Sequence, residues 1–134
     1  MKPDNFYEDF RDVPEDRWKW GPHFTPEEMA CKGSGNLLIV PVALDALVWA
    51  RYRIGQPFRI LSAYRSPDHN RACGGAAGSL HLSGAAFDIA LAGHNVPRLV
   101  QALLNARFGS FGLYPSFIHV DTRDGKWWTG DWSY

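Results

Sequence analysis

Apolar positions along the chain recur with two spacings, one suited to helices and one to short strands, and their alternation predicts a mixed fold. Pro41 opens a helix to about residue 53, with Val42, Leu44, Leu47, Val48 and Trp49 as its apolar side and Gly55 at its end. Asn95 caps a second helix opened by Pro97, with Leu99, Val100, Leu103 and Leu104 as the buried stripe. Ahead of both, Thr25-Pro26-Glu27-Glu28 is a capping box with proline at the first helical position, and Lys32-Gly33-Ser34-Gly35-Asn36 ends that short helix. Strands are predicted at residues 57–63 and 85–91, and two more near residues 110–121. Asp124-Gly125 reads as a hairpin turn, with Lys126-Trp127-Trp128-Thr129 as the returning strand. Residues 66–80 read as one long loop whose small residues, Gly74-Gly75-Ala76-Ala77-Gly78, let backbone pass close to a site. The order predicts an α+β fold, a small antiparallel sheet flanked by helices. Residues 1–20 are predicted as a loosely structured N-terminal arm whose Trp18 and Trp20 dock against the rest of the chain, and residues 21–134 as one catalytic domain.

Composition narrows the class. With 134 residues, 46% hydrophobic and 21% charged, the chain has room for one core and no second module. Formal net charge is zero, without a basic run or an interleaved Arg and aromatic stretch, so nucleic acid and anionic membrane are poor partners. No apolar run approaches the roughly 18 residues of a membrane span. The start, Met1-Lys2-Pro3-Asp4-Asn5-Phe6-Tyr7-Glu8-Asp9, is too acidic and broken for a signal peptide, so the expectation is synthesis in the cytosol. Cys31 and Cys73 lack the spacing of a structural zinc site; parity allows one bridge between them, but a cytosolic start argues for free thiols.

The chemistry lies where polar residues interrupt the apolar runs. Asp88 breaks the run at residues 85–91, and a carboxylate in an apolar strand costs several kcal/mol unless paired or bound to a metal. Its bland explanation is a buried salt bridge to an arginine such as Arg65. Ser79-Leu80-His81-Leu82-Ser83-Gly84-Ala85-Ala86-Phe87-Asp88 and the later Phe117-Ile118-His119-Val120-Asp121 together supply two imidazoles and a carboxylate. Three protein ligands on a tetrahedral ion leave one position for water, the arrangement of a catalytic zinc, and so point to metal-assisted hydrolysis. Residues two apart on a strand share a face, which puts Asp121 on the side of His119.

These residues carry a family resemblance. Ser79-x-His81-x-x-Gly84-x-Ala86-x-Asp88 with His119-x-Asp121 resembles the zinc D-alanyl-D-alanine carboxypeptidase and murein endopeptidase family, whose fold is shared with the hedgehog signalling domain. Phe24-Thr25-x-x-Glu28-x-x-Cys31, Ser62-Ala63-Tyr64-Arg65-Ser66-Pro67-x-x-Asn70 and Gly112-Leu113-Tyr114-Pro115 are similar to family segments too, so the resemblance covers about residues 22–128. It implies one zinc ion on His81, Asp88 and His119, with Arg65 holding a substrate carboxylate or the developing oxyanion. Many members place an acid or histidine two or three positions before the last zinc histidine; this chain has Phe117 and Ser116 there. A branch that includes periplasmic murein endopeptidases and phage lysins also reads Phe-x-His-x-Asp, which supports Asp121 as the catalytic base. Asp121 as an outer partner that orients a zinc histidine is the equal alternative.

For Arg65, the end of a strand in a loop punctuated by Ser66-Pro67-Asp68 favours a functional role over a surface ion pair to Asp68. Ser79 and Tyr114 are candidate substrate contacts. His69 lines the cleft in the resembling family and is not taken as a fourth ligand, and His23 and His94 lack partner spacing. Trp127, Trp128 and Trp132 either close the edge of the sheet or stack on sugars, with a carbohydrate role open for Trp132. The resemblance implies a zinc peptidase acting on peptide stems or crosslinks of peptidoglycan. Its place of action is then the bacterial wall or periplasm, reached as a phage-type lysin through a holin-type pore or as a virion component. The rival expectation is a zinc-containing module that binds the wall, or builds a virion, without turnover.

Overall fold

The structure is a computed structural model and describes residues 5–134; the first four residues of the predicted arm lie outside the described residues. Strand β1 (Phe6–Tyr7) pairs antiparallel with β2 (Leu37–Leu38), and helices α1 (Pro26–Met29), α2 (Pro41–Ile54), α3 (Pro67–Ala72) and α4 (Val96–Asn105) follow in chain order. The main sheet holds β3 (Ile60–Ser62), β4 (Ala86–Ala90), β5 (Ser110–Leu113), β6 (Phe117–Asp121) and β7 (Lys126–Thr129), in the order β3-β4-β6-β5-β7. The fold is α+β, as expected.

Helix signals translate directly into structure. Thr25 Oγ1 accepts from the backbone of Glu28 at 3.2 Å while the Glu28 carboxylate accepts from the backbone of Thr25 at 2.9 Å, a closed capping box. Helix α2 ends at Gly55 in the left-handed region (φ 70°), where a residue with a Cβ would be strained. Its buried stripe, however, is Ala43, Leu44, Leu47 and Ala50, while Val42 and Trp49 of the predicted apolar side are exposed. In α4 the stripe is Leu99, Ala102 and Leu103, with Leu104 turned outward. Small residues at 43, 50 and 102 are buried, and they let helices approach what they cover; apolarity alone does not reveal that.

Three further expectations are corrected. Residues 5–20 are not a loose arm: β1 is paired, the 3-10 turns Phe10–Asp12 and Glu15–Arg17 follow, and Trp20 is buried with its indole N–H donated to Asp45 at 2.8 Å. Trp18 packs edge-on against Trp20 and donates to the carbonyl of Phe24 at 2.7 Å. The loop predicted at 66–80 contains α3, with Ser66 capping and Pro67 at its first position. Finally, β7 does not return beside β6. Both edges of β6 are taken by β4 and β5, so β7 lies outside β5 and parallel to it. The crossover passes close over Gly109, where a Cβ would run into the carbonyl of Arg123.

The two faces of the sheet have separate tasks. Phe87, Ile89, Phe111, Ile118 and Val120 point to one face and are at most 1% exposed, part of the core with Leu47, Leu99 and Leu103 of the helices. The other face carries one register row across all five strands: Ser62, Asp88, His119, Gly112 and Trp128. Polar residues on alternate positions are therefore aligned on the face opposite the core.

Candidate metal centre

Asp88 and His119 are direct partners across β4 and β6, which sets their side chains side by side. His81 comes from a 3-10 turn, Leu80–Ser83, capped by Ser79, whose hydroxyl accepts from the His81 backbone at 3.2 Å. The turn is tied to the strand β3 end by the bond from the Arg65 backbone to the His81 carbonyl, 2.9 Å. His81 Nε2 and His119 Nδ1 both converge on Asp88 Oδ1, at 3.1 and 3.0 Å. Together His81, Asp88 and His119 form one buried group whose ligand atoms lie within 4.8 Å of one another.

The protons of both imidazoles are fixed from behind. His81 Nδ1 lies 2.7 Å from the carbonyl of Ala63, which only accepts, so Nδ1 carries hydrogen and Nε2 faces the cluster. His119 Nε2 lies 2.8 Å from Asp121 Oδ2, so it donates outward and Nδ1 faces the cluster. Three lone-pair atoms then meet, and a cation must stand between them, either protons on the imidazoles or a metal ion. Two nitrogens and a carboxylate oxygen, each oriented by an outer partner, fit a divalent ion such as zinc. Electrostatics agree: burial pushes the His119 imidazolium down, but hydrogen bonds to Asp121 and Asp88 outweigh it and raise its pKa. Burial likewise opposes ionisation of Asp88, yet the two imidazoles hold its carboxyl well below the usual range.

Asp121 shares the face of His119, as strand parity requires, but lies fully buried behind it, 0% exposed. Its four hydrogen bonds come from His119 Nε2 and from Arg123, the latter through its backbone at 2.9 Å, Nε at 3.1 Å and Nη2 at 2.6 Å. Burial opposes its charge, and the bonds from His119 and Arg123 keep its pKa low nonetheless. Asp121 does not line the cleft; Arg123, over the same carboxylate, does.

The cleft measures about 810 Å³ and opens over the metal centre. Arg65 reaches it with Nε on Ser62 Oγ at 3.2 Å and Nη1 on Asn70 Oδ1 at 2.9 Å, while Nη2 forms a long ion pair with Asp88 Oδ2 at 3.5 Å, so the pairing of Asp88 with Arg65 is present beside the imidazoles. The Arg65 to Asp68 pair does not form, because Asp68 pairs with Arg71. Asn70, 2% exposed, braces the loop as well by donating to the carbonyl of Ala76 at 2.9 Å. Gly75 sits against that pair, where a Cβ would collide with Asn70 Oδ1 and Arg65 Nη1.

Ser79, Tyr114, His69 and Trp132 line the cleft, whereas His23 and His94 do not. Tyr114 stacks on Phe117 (4.4 Å, 4°) and accepts from Trp128 at 2.9 Å, which leaves its own hydroxyl proton for a ligand. Trp128 lies over Gly112, which has no side chain to displace it, and so reaches His119 at 5.2 Å. Trp127, on the opposite face, stacks on Phe111 at 4.5 Å. Cys31 is buried and Cys73 exposed, both free. Asn70 and Arg123 are not among the site residues that the sequence indicates; for Asn70 the available signal is its place in the Ser62–Asn70 segment, and for Arg123 its spacing, two past Asp121.

A buried His-Asp-His trio under an open cleft, with an arginine beside it, is the arrangement of a mononuclear metallopeptidase. Comparison with protein-family models bears on the same point: the model of peptidase M15 matches residues 22–121, and the chain belongs to that family. It is thus a metallopeptidase-type hydrolase, with a His-Asp-His group able to hold the metal. A search of curated proteins found no match.

Proposed function

We propose that the protein hydrolyses amide bonds in the peptide stems or crosslinks of peptidoglycan, with one zinc ion on His81 Nε2, Asp88 Oδ1 and His119 Nδ1. The observation that carries this reading is the cleft's one-sided charge. Lys32, Arg65 and Arg123 line it, and among the described residues Asp88 is the one acidic side chain that does. Such a lining suits a short peptide rich in carboxylates, and the volume suits a few residues of it. Zinc supplies Lewis acidity, bringing the pKa of water to about 7 and polarising a carbonyl. Arg65 is held by Ser62, Asn70 and, through a long contact of Nη2, Asp88, and its remaining N–H donors on Nη1 and Nη2 serve a substrate carboxylate or oxyanion. Tyr114 and the Ser79 hydroxyl offer hydrogen bonds at the rim. Asp121 acts by orienting His119 through Nε2, rather than by taking a proton from water, since its lone pairs are already engaged. The bacterial wall is the site of action, reached through a pore or with a virion.

Mass spectrometry of purified peptidoglycan and defined stem peptides tests this, with zinc-loaded and chelator-treated protein side by side. Zinc-dependent products are expected, and their masses name the bond as terminal or internal. The second reading, a wall-binding module without turnover, draws on the absence of a second acidic side chain in the cleft among the described residues. Bound zinc and retained binding to wall fragments, with no products from any wall type, would establish it.

A further inference from the structure

The two oxygens of Asp88 have different neighbours. Oδ1 meets both imidazoles, whereas Oδ2 accepts a hydrogen bond from the Tyr134 hydroxyl at 2.5 Å, with Arg65 Nη2 farther off at 3.5 Å. Tyr134 is brought there by the segment after β7, which is fastened at several points. The backbone of Gly130 donates to the Leu113 carbonyl at 3.0 Å, and Gly130 fits closely against the Tyr114 ring. Trp132 sets its edge on Phe117 (5.6 Å, 90°), and Ser133 Oγ lies 3.3 Å from Ser116 Oγ. The Tyr134 ring then packs between Phe117 (4.9 Å) and Trp132 (4.6 Å), with its hydroxyl directed down onto the carboxylate.

A carboxylate beside a cation can bind through one oxygen or close on it with both. Closing with both would occupy the position a catalytic ion keeps open for water. A short, charge-assisted bond from a phenol holds Oδ2 on the far side and opposes that rotation. Arg65 Nη2 adds a long ion pair to the same oxygen at 3.5 Å, so the Tyr134 hydroxyl supplies the short bond that fixes Oδ2. We propose that Tyr134 is a positioning residue for the metal centre, limiting Asp88 to ligation through Oδ1 and so keeping the fourth coordination position open. The inference rests on the metal-centre reading above and adds a residue that lies outside the matched family segment.

Tyr134→Phe removes the hydroxyl and keeps the ring between Phe117 and Trp132, so the variant isolates the hydrogen bond. Wild type and variant are titrated with cobalt(II), and zinc affinity is measured against a chromophoric chelator. The variant is expected to bind zinc about tenfold more weakly, the low end of what loss of an outer partner costs. Its cobalt d–d bands are expected to weaken as Asp88 closes on the ion and the coordination number rises. Bands and affinity matching the wild type overturn the inference. Weaker binding with an unaltered spectrum overturns it too, because the hydroxyl then tunes affinity without setting the mode of ligation. If the wild type itself binds neither ion, the metal-centre reading and the inference fall together.

Discussion

Replacing Asp121 by asparagine separates the two roles that its position beside His119 allows. In the native chain Oδ2 receives both His119 Nε2–H, at 2.8 Å, and Arg123 Nη2–H, at 2.6 Å, and Oδ1 receives two more bonds from Arg123. An amide has one oxygen to serve both sides. If that oxygen faces Arg123, the amide NH₂ faces His119 and selects the tautomer with hydrogen on Nδ1, the atom that must ligate the metal. If it faces His119, the NH₂ opposes the guanidinium fork. Either way two of the four bonds are lost, at least one of them to a charged group and worth about 1.5–3 kcal/mol. Taken as metal affinity, that is roughly a 10- to 100-fold loss, the range typical of an outer-partner substitution. Zinc affinity by chelator competition is the assay, run beside peptide hydrolysis at saturating zinc. The orienting role requires the affinity to fall and much of the activity to return with excess zinc. Unchanged zinc affinity with turnover abolished even at saturation would refute it and restore Asp121 as the base.

Three other outcomes are expected. Gly75→Ala pushes a methyl into Asn70 and Arg65 and costs about 1–3 kcal/mol of stability by overpacking; KM for peptides rises while zinc affinity, measured in the same titration, holds. Thr25→Ala opens the capping box and costs about 1 kcal/mol, read as a drop in melting temperature of roughly 4 °C. The metal-free protein has a stability maximum on the acid side, seen in chelator-treated thermal melts across pH. His119 titrates above its ordinary 6.5, so the stability from its protonated form is complete below 6.5 and is lost as pH rises through the folded value. Asp88 and Asp121 titrate below 3.8, so their contribution is complete above 3.8 and is lost as pH falls through their folded values. Zinc removes the alkaline decline, and melts that stay flat above pH 6.5 without metal refute this account.

Some of this molecule is readable in its sequence because local chemistry decides it. The Thr25 and Glu28 pair closes a box within four residues, and Gly55 ends α2 by backbone conformation alone. Asp88 and His119 stand out because each interrupts an apolar strand, and strand parity correctly puts Asp121 on the face of His119. What parity does not carry is depth. Asp121 lies one register row from the ligands, beside Ala86 and Ser110, and Arg123 encloses it. The partner of β7 is equally invisible, since it depends on both edges of β6 being occupied by β4 and β5. The α2 face is misread for a related reason: Ala43 and Ala50 are buried where large apolar residues would prevent close approach, and Val42 is left outside.

The division between strand and non-strand residues also says how the centre would respond to change. Register fixes Asp88 opposite His119, so a one-residue slip of β4 or β6 would turn that strand's ligand into the core and Phe87 or Val120 out of it. Such a slip is opposed by the whole buried face, and strand substitutions should therefore be felt first as lost stability. His81, Arg65 and Tyr134 are placed by turns and a terminal segment, held by a few hydrogen bonds and ring contacts. Substitutions there leave most of the core untouched and change the ligand geometry directly. Metal affinity and substrate choice can therefore vary through residues 62–84 and 130–134 while the β4 and β6 ligands stay where the sheet puts them.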